Sequence, residues 1–212
     1  PLLLSALVGY LLGSISFAIL LTKAFAHEDV RAHGSGNAGA TNVLRVAGKK
    51  ASALTFLLDF CKCVASVLVG YFLVKHACVA NGVDPEMARL GMYAAGFCCM
   101  IGHMYPLYFG FRGGKGILSS AALAIMMDWR IFVIGFSLFL IIVFATHYVS
   151  LGSILAAMAY AVLFVIFFPG QPWIWSIAIA MAVLAIFMHR SNIARLLHGT
   201  ETKTYLLKSK KK

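Results

Sequence analysis

Acidic side chains are scarce in this chain, since Asp and Glu together number 7 among 212 residues, against 18 Lys and Arg. Charged residues of both signs make up only 12% of the sequence, while 61% of the residues are hydrophobic. A soluble domain has about a quarter of its residues charged. This shortage of charge, with a mean hydropathy of +0.89, excludes an ordinary soluble domain and indicates a polytopic membrane protein.

The cysteines do not form a recognisable metal-binding or disulfide pattern. None has C-x-x-C spacing or a neighbouring histidine cluster, and four of the five lie inside apolar segments. The five are Cys61, Cys63, Cys78, Cys98 and Cys99. Small apolar packing is the role that such cysteines usually have. We therefore predict no metal site, no disulfide framework and no cofactor.

The net charge of +11 is compatible in principle with nucleic-acid binding. The basic residues, however, lie beside apolar segments, where they usually set membrane orientation and attract anionic headgroups. The prediction is contact with membrane lipid and no nucleic-acid partner. Four lysines of the C-terminal tail fit such an anchor: Lys208, Lys210, Lys211 and Lys212.

Hydrophobic periodicity and length predict an all-α fold with seven transmembrane helices, in a single domain over 1–212. The first segment is expected to be a retained helix, because no positive region precedes it. We see no internal repeat. The predicted spans are 2–22, 52–75, 88–104, 116–127, 131–149, 151–168 and 173–189.

Seven spans place the two termini on opposite sides of the membrane. One side then receives the loops near 23–51 and 105–115 and the C-terminal tail, which carry most of the basic residues. The positive-inside rule makes that side cytoplasmic and leaves the N-terminus outside.

Two glycine-rich runs fall on this predicted cytoplasmic side. The first glycine run, 34–45, combines glycines that permit positive φ with hydroxyl, amide and guanidinium donors: Gly34, Ser35, Gly36, Asn37, Gly39, Thr41, Asn42 and Arg45. Backbone N–H groups, hydroxyls and a forked guanidinium are what proteins offer to phosphate. The competing interpretation is a flexible loop with a chance excess of glycine.

The second glycine run, 109–116, ends in Gly113, Gly114, Lys115 and Gly116 and opens the fourth predicted helix. A helix N-terminus attracts anions. The run is not a Walker motif, because glycine rather than Ser or Thr follows the lysine, which disfavours a nucleoside triphosphatase. An interfacial turn with snorkelling basic side chains is the alternative.

The third polar cluster, 189–201, follows the last predicted span. His189, Asn192 and Arg195 recur at three-residue steps and so share a helical face. Nearby, Ser150 and Ser153 border the same predicted side, where turn chemistry explains them almost as well. Asp59 and Lys62 lie deep in the second span, as a mutual structural pair or as functional charges.

Together these segments resemble the bacterial acyl-phosphate-dependent glycerol-3-phosphate acyltransferases, the PlsY family. The matching segments are Gly34 to Arg45, Gly102-His-Met-Tyr-Pro106 through Gly116, and His189-Arg-Ser-Asn192-Ile through Glu201. Asp59-Phe-Cys-Lys62 and Tyr148 to Ser153 add weaker matches. This chain departs from the family's usual glycine at Cys63 and from its frequent lysine at Arg112.

The resemblance implies transfer of a fatty acyl group from acyl phosphate to the 1-hydroxyl of sn-glycerol 3-phosphate, in phospholipid biosynthesis. The products would be 1-acylglycerol 3-phosphate (lysophosphatidic acid) and inorganic phosphate. It also implies a multi-pass protein of the bacterial inner membrane with its active site facing the cytoplasm. Contact with the enzyme that forms the acyl phosphate stays open.

On this basis, the predicted catalytic residues are Ser35, Arg45, His189 and Asn192. The predicted substrate-binding residues are Gly34, Gly36, Asn37, Gly39, Thr41, Asn42, His103, Gly113, Gly114, Lys115, Gly116, Ser153 and Arg195. Either His189 or a substrate phosphate accepts the hydroxyl proton. The rival class is a transporter or anion channel, which would need charged residues along a path through the bilayer.

Overall fold

A computed structural model describes residues 1–205, and the lysines of the C-terminal tail lie outside this range. Within that range the regular structure is helical. The helices are α1 Leu2–Gly13, α2 Phe17–Ala26, α3 Ala40–Val46, α4 Gly48–Ala80, α5 Ala88–Met104, α6 Ile117–Met127, α7 Trp129–Thr146, α8 Val149–Phe167, α9 Pro172–Met188 and α10 Arg190–Leu197. The all-α prediction is confirmed.

Each predicted span contains a helix, but their lengths differ from the prediction. Four segments are long and apolar enough to cross a membrane: 2–26, 48–80, 129–146 and 149–167. The pair α9 and α10, bent by 57°, would make a fifth. The apolar helix α6 has only 11 residues, and α5 has 17. The count of seven spans therefore stays a prediction.

The first predicted span is broken into α1 and α2. The chain leaves helical geometry at Ser16, which is extended with φ −95° and ψ 94°. The Ile15 carbonyl at this break accepts a hydrogen bond from Lys62 Nζ at 2.6 Å. A buried lysine on α4 thus satisfies a carbonyl that the interrupted helix leaves without an intrahelical partner.

The chain forms two compact units, Pro1–Trp129 and Arg130–Lys212. We call them the N-terminal unit and the C-terminal unit. The single-domain assignment stays a prediction beside this division.

Glycine lets α1 pack closely on α5 in the N-terminal unit. A methyl group on Gly9 would overlap the Ala95 carbonyl, and one on Gly13 would overlap the Cys99 carbonyl. Gly70 of α4 and Gly91 of α5 approach each other in the same way. Without a hydrophobic driving force inside the bilayer, such close backbone contact is a main source of helix association.

The first glycine run is anchored by a small apolar core in the N-terminal unit. Its fully buried members come from α2, the following loop, α3 and the start of α4: Ala18, Ile19, Val30, Ala38, Val43 and Ala51. Phe109 of the second glycine run packs against this core. The polar loops therefore rest on a fixed apolar base.

Candidate active site

The first glycine run begins after a short 3-10 turn and leads into α3. Gly34 and Gly36 have φ values of +59° and +69°, which favour glycine. A side chain on Gly34 would also overlap Asn42 Oδ1. Both conformation and space therefore require glycine at position 34.

The Asn42 side chain holds this run in shape. Its Oδ1 accepts the Ser35 N–H at 3.0 Å, and its Nδ2 donates to the carbonyls of Val30 at 2.8 Å and His33 at 2.9 Å. Asn42 is 1% exposed. Because both amide hydrogens are used inside the loop, the geometry favours a structural role, and substrate contact by Asn42 stays a prediction.

Several backbone N–H groups of the run also point inward. Gly36 N–H donates to the His33 carbonyl, and Gly39 N–H donates to the Asn37 carbonyl, each at 3.0 Å. The loop uses these two amides to close its own turns, and substrate contact by Gly36 and Gly39 stays a prediction. The Ser35 and Arg45 side chains, by contrast, are exposed.

The second glycine run folds back on the end of α5. Gly113 N–H donates to the Met104 carbonyl at 3.1 Å, and Gly114 N–H donates to the His103 carbonyl at 3.0 Å. These amides are likewise occupied, so the requirement for glycine here is steric. A methyl group on Gly113 would overlap the His103 carbonyl, and one on Gly114 would overlap the His103 ring.

The run ends at Gly116, whose φ of +79° precedes α6. Lys115, half-buried, lies immediately before it. The prediction that this segment opens a helix is confirmed.

In the N-terminal unit one hydrogen bond joins the two glycine runs, and Arg31, in the turn before the first run, joins that turn to the second run. Ala38 N–H donates to the Gly113 carbonyl at 3.3 Å. Arg31 Nη1 donates to the carbonyl of Phe109 at 2.6 Å and lies 3.4 Å from that of Arg112. Two loops separated by about seventy residues are thereby held together.

Asp29 fixes the position of Arg31. Arg31 Nη2 lies 2.7 Å from Asp29 Oδ2, and the Arg31 backbone N–H also donates to this carboxylate, at 2.9 Å. The hydrogen bonds from the guanidinium lower the pKa of Asp29 to about 2. Sequence reasoning missed this pair, although an acid next to a basic residue in a chain with so few acids was a usable signal.

In the C-terminal unit a carboxylate organises the third polar cluster. Glu201 Oε1 accepts from Ser150 Oγ at 2.8 Å and from Asn192 Nδ2 at 2.7 Å. Glu201 Oε2 accepts from Arg195 Nε at 2.7 Å. Burial opposes ionisation of Glu201, but these hydrogen bonds outweigh it, and the pKa lies below its ordinary value.

Glu201 was not among the predicted site residues, yet it connects two of them. Asn192 and Arg195 were predicted to share a helical face, and their common contact with Glu201 confirms this. The signal was again available, because Glu201 is the single acid in a basic segment.

His189 lies at the junction of α9 and α10 and is 3% exposed. Its Nδ1 is 2.7 Å from the Ala185 carbonyl, and a carbonyl can only accept, so Nδ1 carries a proton. In the neutral ring Nε2 then carries no proton. Ser153, on α8, is also buried.

The predicted site residues thus divide between the two units. The N-terminal unit contains both glycine runs with Ser35, Arg45, His103 and Lys115. The C-terminal unit contains His189, Asn192, Ser153 and Arg195. Within each unit the fold brings residues together that are far apart in sequence.

The deep charges of α4 pair with each other. Lys62 Nζ lies 2.8 Å from Asp59 Oδ1, and both side chains are almost fully buried. The contact is the mutual pair that the sequence allowed, and it does not by itself exclude the functional role that was left open beside it.

Apolar helices that carry polar loops define an integral membrane protein, and the comparison with known families identifies it as an acyltransferase that acts in phospholipid synthesis. The family model described as glycerol-3-phosphate acyltransferase matches residues 3–199. The chain belongs to this family, and its relatives in solved structures are the PlsY proteins. The transporter alternative is thereby set aside.

Relatives cover nearly the whole chain. A glycerol-3-phosphate acyltransferase of Thermoanaerobacter pseudethanolicus is 42% identical over 94% of both chains, and one of Neisseria meningitidis serogroup B is 37% identical over 92% of this chain and 94% of the relative. A crystal structure of PlsY in its glycerol 3-phosphate form has a TM-score of 0.82 at 36% identity and covers 97% of this chain and 96% of that one. A lysophosphatidic acid form has a TM-score of 0.79 at 34% identity, with the same coverage.

Proposed function

We propose that this protein transfers a fatty acyl group from acyl phosphate to the 1-hydroxyl of sn-glycerol 3-phosphate. The products are lysophosphatidic acid and inorganic phosphate. Family membership supports an acyltransferase that uses glycerol 3-phosphate. The PlsY structures in glycerol 3-phosphate and lysophosphatidic acid forms support this acceptor and this product.

The observation that carries the proposal is the pairing of the two glycine runs through Arg31 and Ala38. The loop that bears Ser35 and leads into α3, the helix of Arg45, therefore lies beside the loop that bears Lys115. A guanidinium, an ammonium and a hydroxyl on these neighbouring segments suit a phosphate monoester, because charged donors form the strongest hydrogen bonds to phosphate.

The chemistry requires no protein nucleophile. The acceptor hydroxyl oxygen attacks the carbonyl carbon of the mixed anhydride, an ester bond forms, and the bond from that carbon to the phosphate oxygen breaks. Phosphate leaves with the bonding electrons. We assign to the protein orientation of the two substrates and neutralisation of their charge, which are large contributions to such a reaction.

The hydroxyl proton has two candidate acceptors, His189 and a substrate phosphate oxygen. With Nδ1 protonated, Nε2 is the nitrogen of His189 through which either proton acceptance or anion contact would take place. In His189→Gln, a near-normal kcat with only a raised KM for glycerol 3-phosphate would exclude the base role.

We further propose that the protein is a seven-span protein of the bacterial inner membrane, with both substrates bound at the cytoplasmic side. The excess of basic residues in the loops assigned to that side supports the orientation. Whether the enzyme that forms the acyl phosphate makes direct contact is a separate question.

The test is acyl transfer by the purified protein, with labelled glycerol 3-phosphate and either palmitoyl phosphate or palmitoyl-CoA. We expect lysophosphatidic acid from palmitoyl phosphate only. Arg45→Ala should abolish the product, since a clamp on a doubly charged group is lost.

The matched control is Arg89→Ala, which removes an exposed arginine that pairs with Glu86 at the start of α5. It should leave the rate unchanged. Product from palmitoyl-CoA would overturn the donor assignment, and equal losses in the two arginine variants would overturn the role of Arg45.

A further inference from the structure

The buried ammonium of Lys62 lies among three groups of the N-terminal unit. Its Nζ is 2.6 Å from the Ile15 carbonyl, 2.8 Å from Asp59 Oδ1 and 3.2 Å from His103 Nδ1. Three different segments, the α1–α2 break, α4 and the end of α5, therefore meet at one nitrogen.

These contacts determine the tautomer of His103. An ammonium group has three N–H donors and cannot accept a hydrogen bond. The Ile15 carbonyl accepts one of these N–H groups, and the Asp59 carboxylate supplies the counter-charge. Because the ammonium cannot accept, its contact with His103 requires Nδ1 of the ring to accept. The neutral ring then carries its proton on Nε2.

The Nε2 edge of the ring faces the second glycine run. In the space that a methyl group on Gly114 would occupy, the nearest atom is His103 Nε2. The His103 carbonyl also accepts the Gly114 N–H, at 3.0 Å. Ring and loop are thus held together by both the main chain and close packing, with the ring itself only 7% exposed.

We propose that Lys62 and Asp59 are positioning residues that hold His103 as the Nε2–H tautomer, so that His103 donates this hydrogen bond to an anion at the second glycine run. The proposal rests on the proposed function in one respect, that the anion is a substrate phosphate. The sequence left Asp59 and Lys62 open between a structural pair and functional charges, and the proposal gives both a functional role. Asp59 acts through Lys62, and Lys62 acts through His103.

Asp59 is needed because Lys62 is nearly inaccessible to solvent. A buried ammonium is costly without a counter-charge, and the Asp59 carboxylate lies 2.8 Å from Nζ. We assign to Asp59 the task of holding Nζ in position to donate to His103 Nδ1.

The first test is nitrogen NMR of the histidine rings in detergent-solubilised protein, with the His103 signals assigned by their absence from His103→Gln. We expect a protonated Nε2 and an unprotonated Nδ1 in the wild type. Lys62→Met should give a mixture of tautomers. Lys75→Met, a lysine of the same helix whose Nζ lies over the Tyr71 ring, should leave the spectrum unchanged.

Anion binding is tested in the same spectra without reliance on catalysis. Inorganic phosphate and, separately, glycerol 3-phosphate should shift the His103 Nε2 resonance in the wild type. No shift with either anion would overturn the donor role of His103. A shift with both, in protein that shows no acyl transfer, would preserve the inference while the proposed function failed.

Kinetics separate positioning from mere structural support. Gln at position 103 places an amide N–H near the site of Nε2 and does not depend on a tautomer. We expect Lys62→Met to raise the KM of a phosphate-bearing substrate roughly tenfold, with a smaller effect on kcat, as loss of one hydrogen bond to a charged group implies. In the His103→Gln background, Lys62→Met should raise this KM less than about twofold.

Equal increases in the two backgrounds would contradict the proposal, because they would show that Lys62 acts independently of His103. Where Lys62→Met alone fails to fold, the neutral pair Asp59→Asn with Lys62→Met removes the uncompensated charge. That double variant should have a melting temperature near that of the wild type and still show a mixture of His103 tautomers. A pure Nε2–H tautomer in it would also overturn the proposal.

Discussion

Single residues in the glycine runs have roles that composition does not show. Glycine was expected to free backbone N–H groups for a phosphate. In the structure, Gly36, Gly39, Gly113 and Gly114 donate their N–H groups to carbonyls of the protein. The small size of Gly34 lets the chain pass close to Asn42, and that of Gly113 and Gly114 lets it pass close to His103.

Replacement of Gly34 by Ala should be more harmful than the same change at Gly48. Both have positive φ, at +59° and +80°, so alanine at either position costs about 1 kcal/mol for the left-handed conformation. Only at Gly34 does the new methyl group also displace Asn42, at a further cost of roughly 1–3 kcal/mol for unpaired polar groups. Melting temperature in detergent measures the difference. Equal melting temperatures would show that Asn42 does not hold the loop.

Asp29 supplies a prediction about pH. Its folded pKa of about 2 lies below the ordinary value of 3.8, so it stabilises the loop above pH 4 and loses this contribution as pH falls towards 2. Arg31→Ala should return the pKa towards 3.8. Carbon NMR of the labelled carboxyl group follows the titration. An unchanged midpoint in Arg31→Ala would contradict the assigned cause.

At the scale of helices, close backbone approach determines how α1, α4 and α5 pack. Glycine or alanine stands at the contact points of these three helices, while the large side chains of α1 point outward, as Leu3 and Leu7 do. The hydrophobic pattern of α1 alone could not show which face packs inward, because nearly all its residues are apolar. Small-residue positions were the informative signal.

Gly9→Ala should therefore destabilise the N-terminal unit more than Leu7→Ala does. The new methyl group would overlap the Ala95 carbonyl, and such overpacking costs about 1–3 kcal/mol. Leu7 is 53% exposed, so its truncation removes little internal packing. Thermal unfolding of the two variants in the same detergent gives the comparison. A lower melting temperature for Leu7→Ala would argue against close α1–α5 packing.

At the scale of the whole molecule, the orientation in the membrane is still a prediction. The loop between α4 and α5 should lie outside the cell, and the loop after α2 should lie inside. In a background without native cysteines, Asn81→Cys should react with a membrane-impermeant maleimide in intact cells. His33→Cys should react only after permeabilisation. The reverse pattern would invert the topology.

The sequence predicted most of what depends on local order along the chain. Long apolar segments indicated the helices, and the glycine runs and the third polar cluster were recognised from their side chains. It did not show the break near Ser16, because its surroundings are as apolar as an unbroken span. It also missed Arg31 and Glu201, whose importance comes from partners 78 and 51 residues away.

The sequence by itself determined the membrane class, the family and the residue types offered to a phosphate, because these follow from composition and from motifs of adjacent residues. Only the tertiary structure decided which hydrogen-bond donors bind acceptors of the protein itself and which charged side chains form ion pairs. Asn42 closes its own loop, Glu201 gathers the third polar cluster, and Lys62 links Asp59 to His103. Such contacts join segments that are distant along the chain, and hydrogen bonds of this kind depend on distances and angles that only the folded backbone sets.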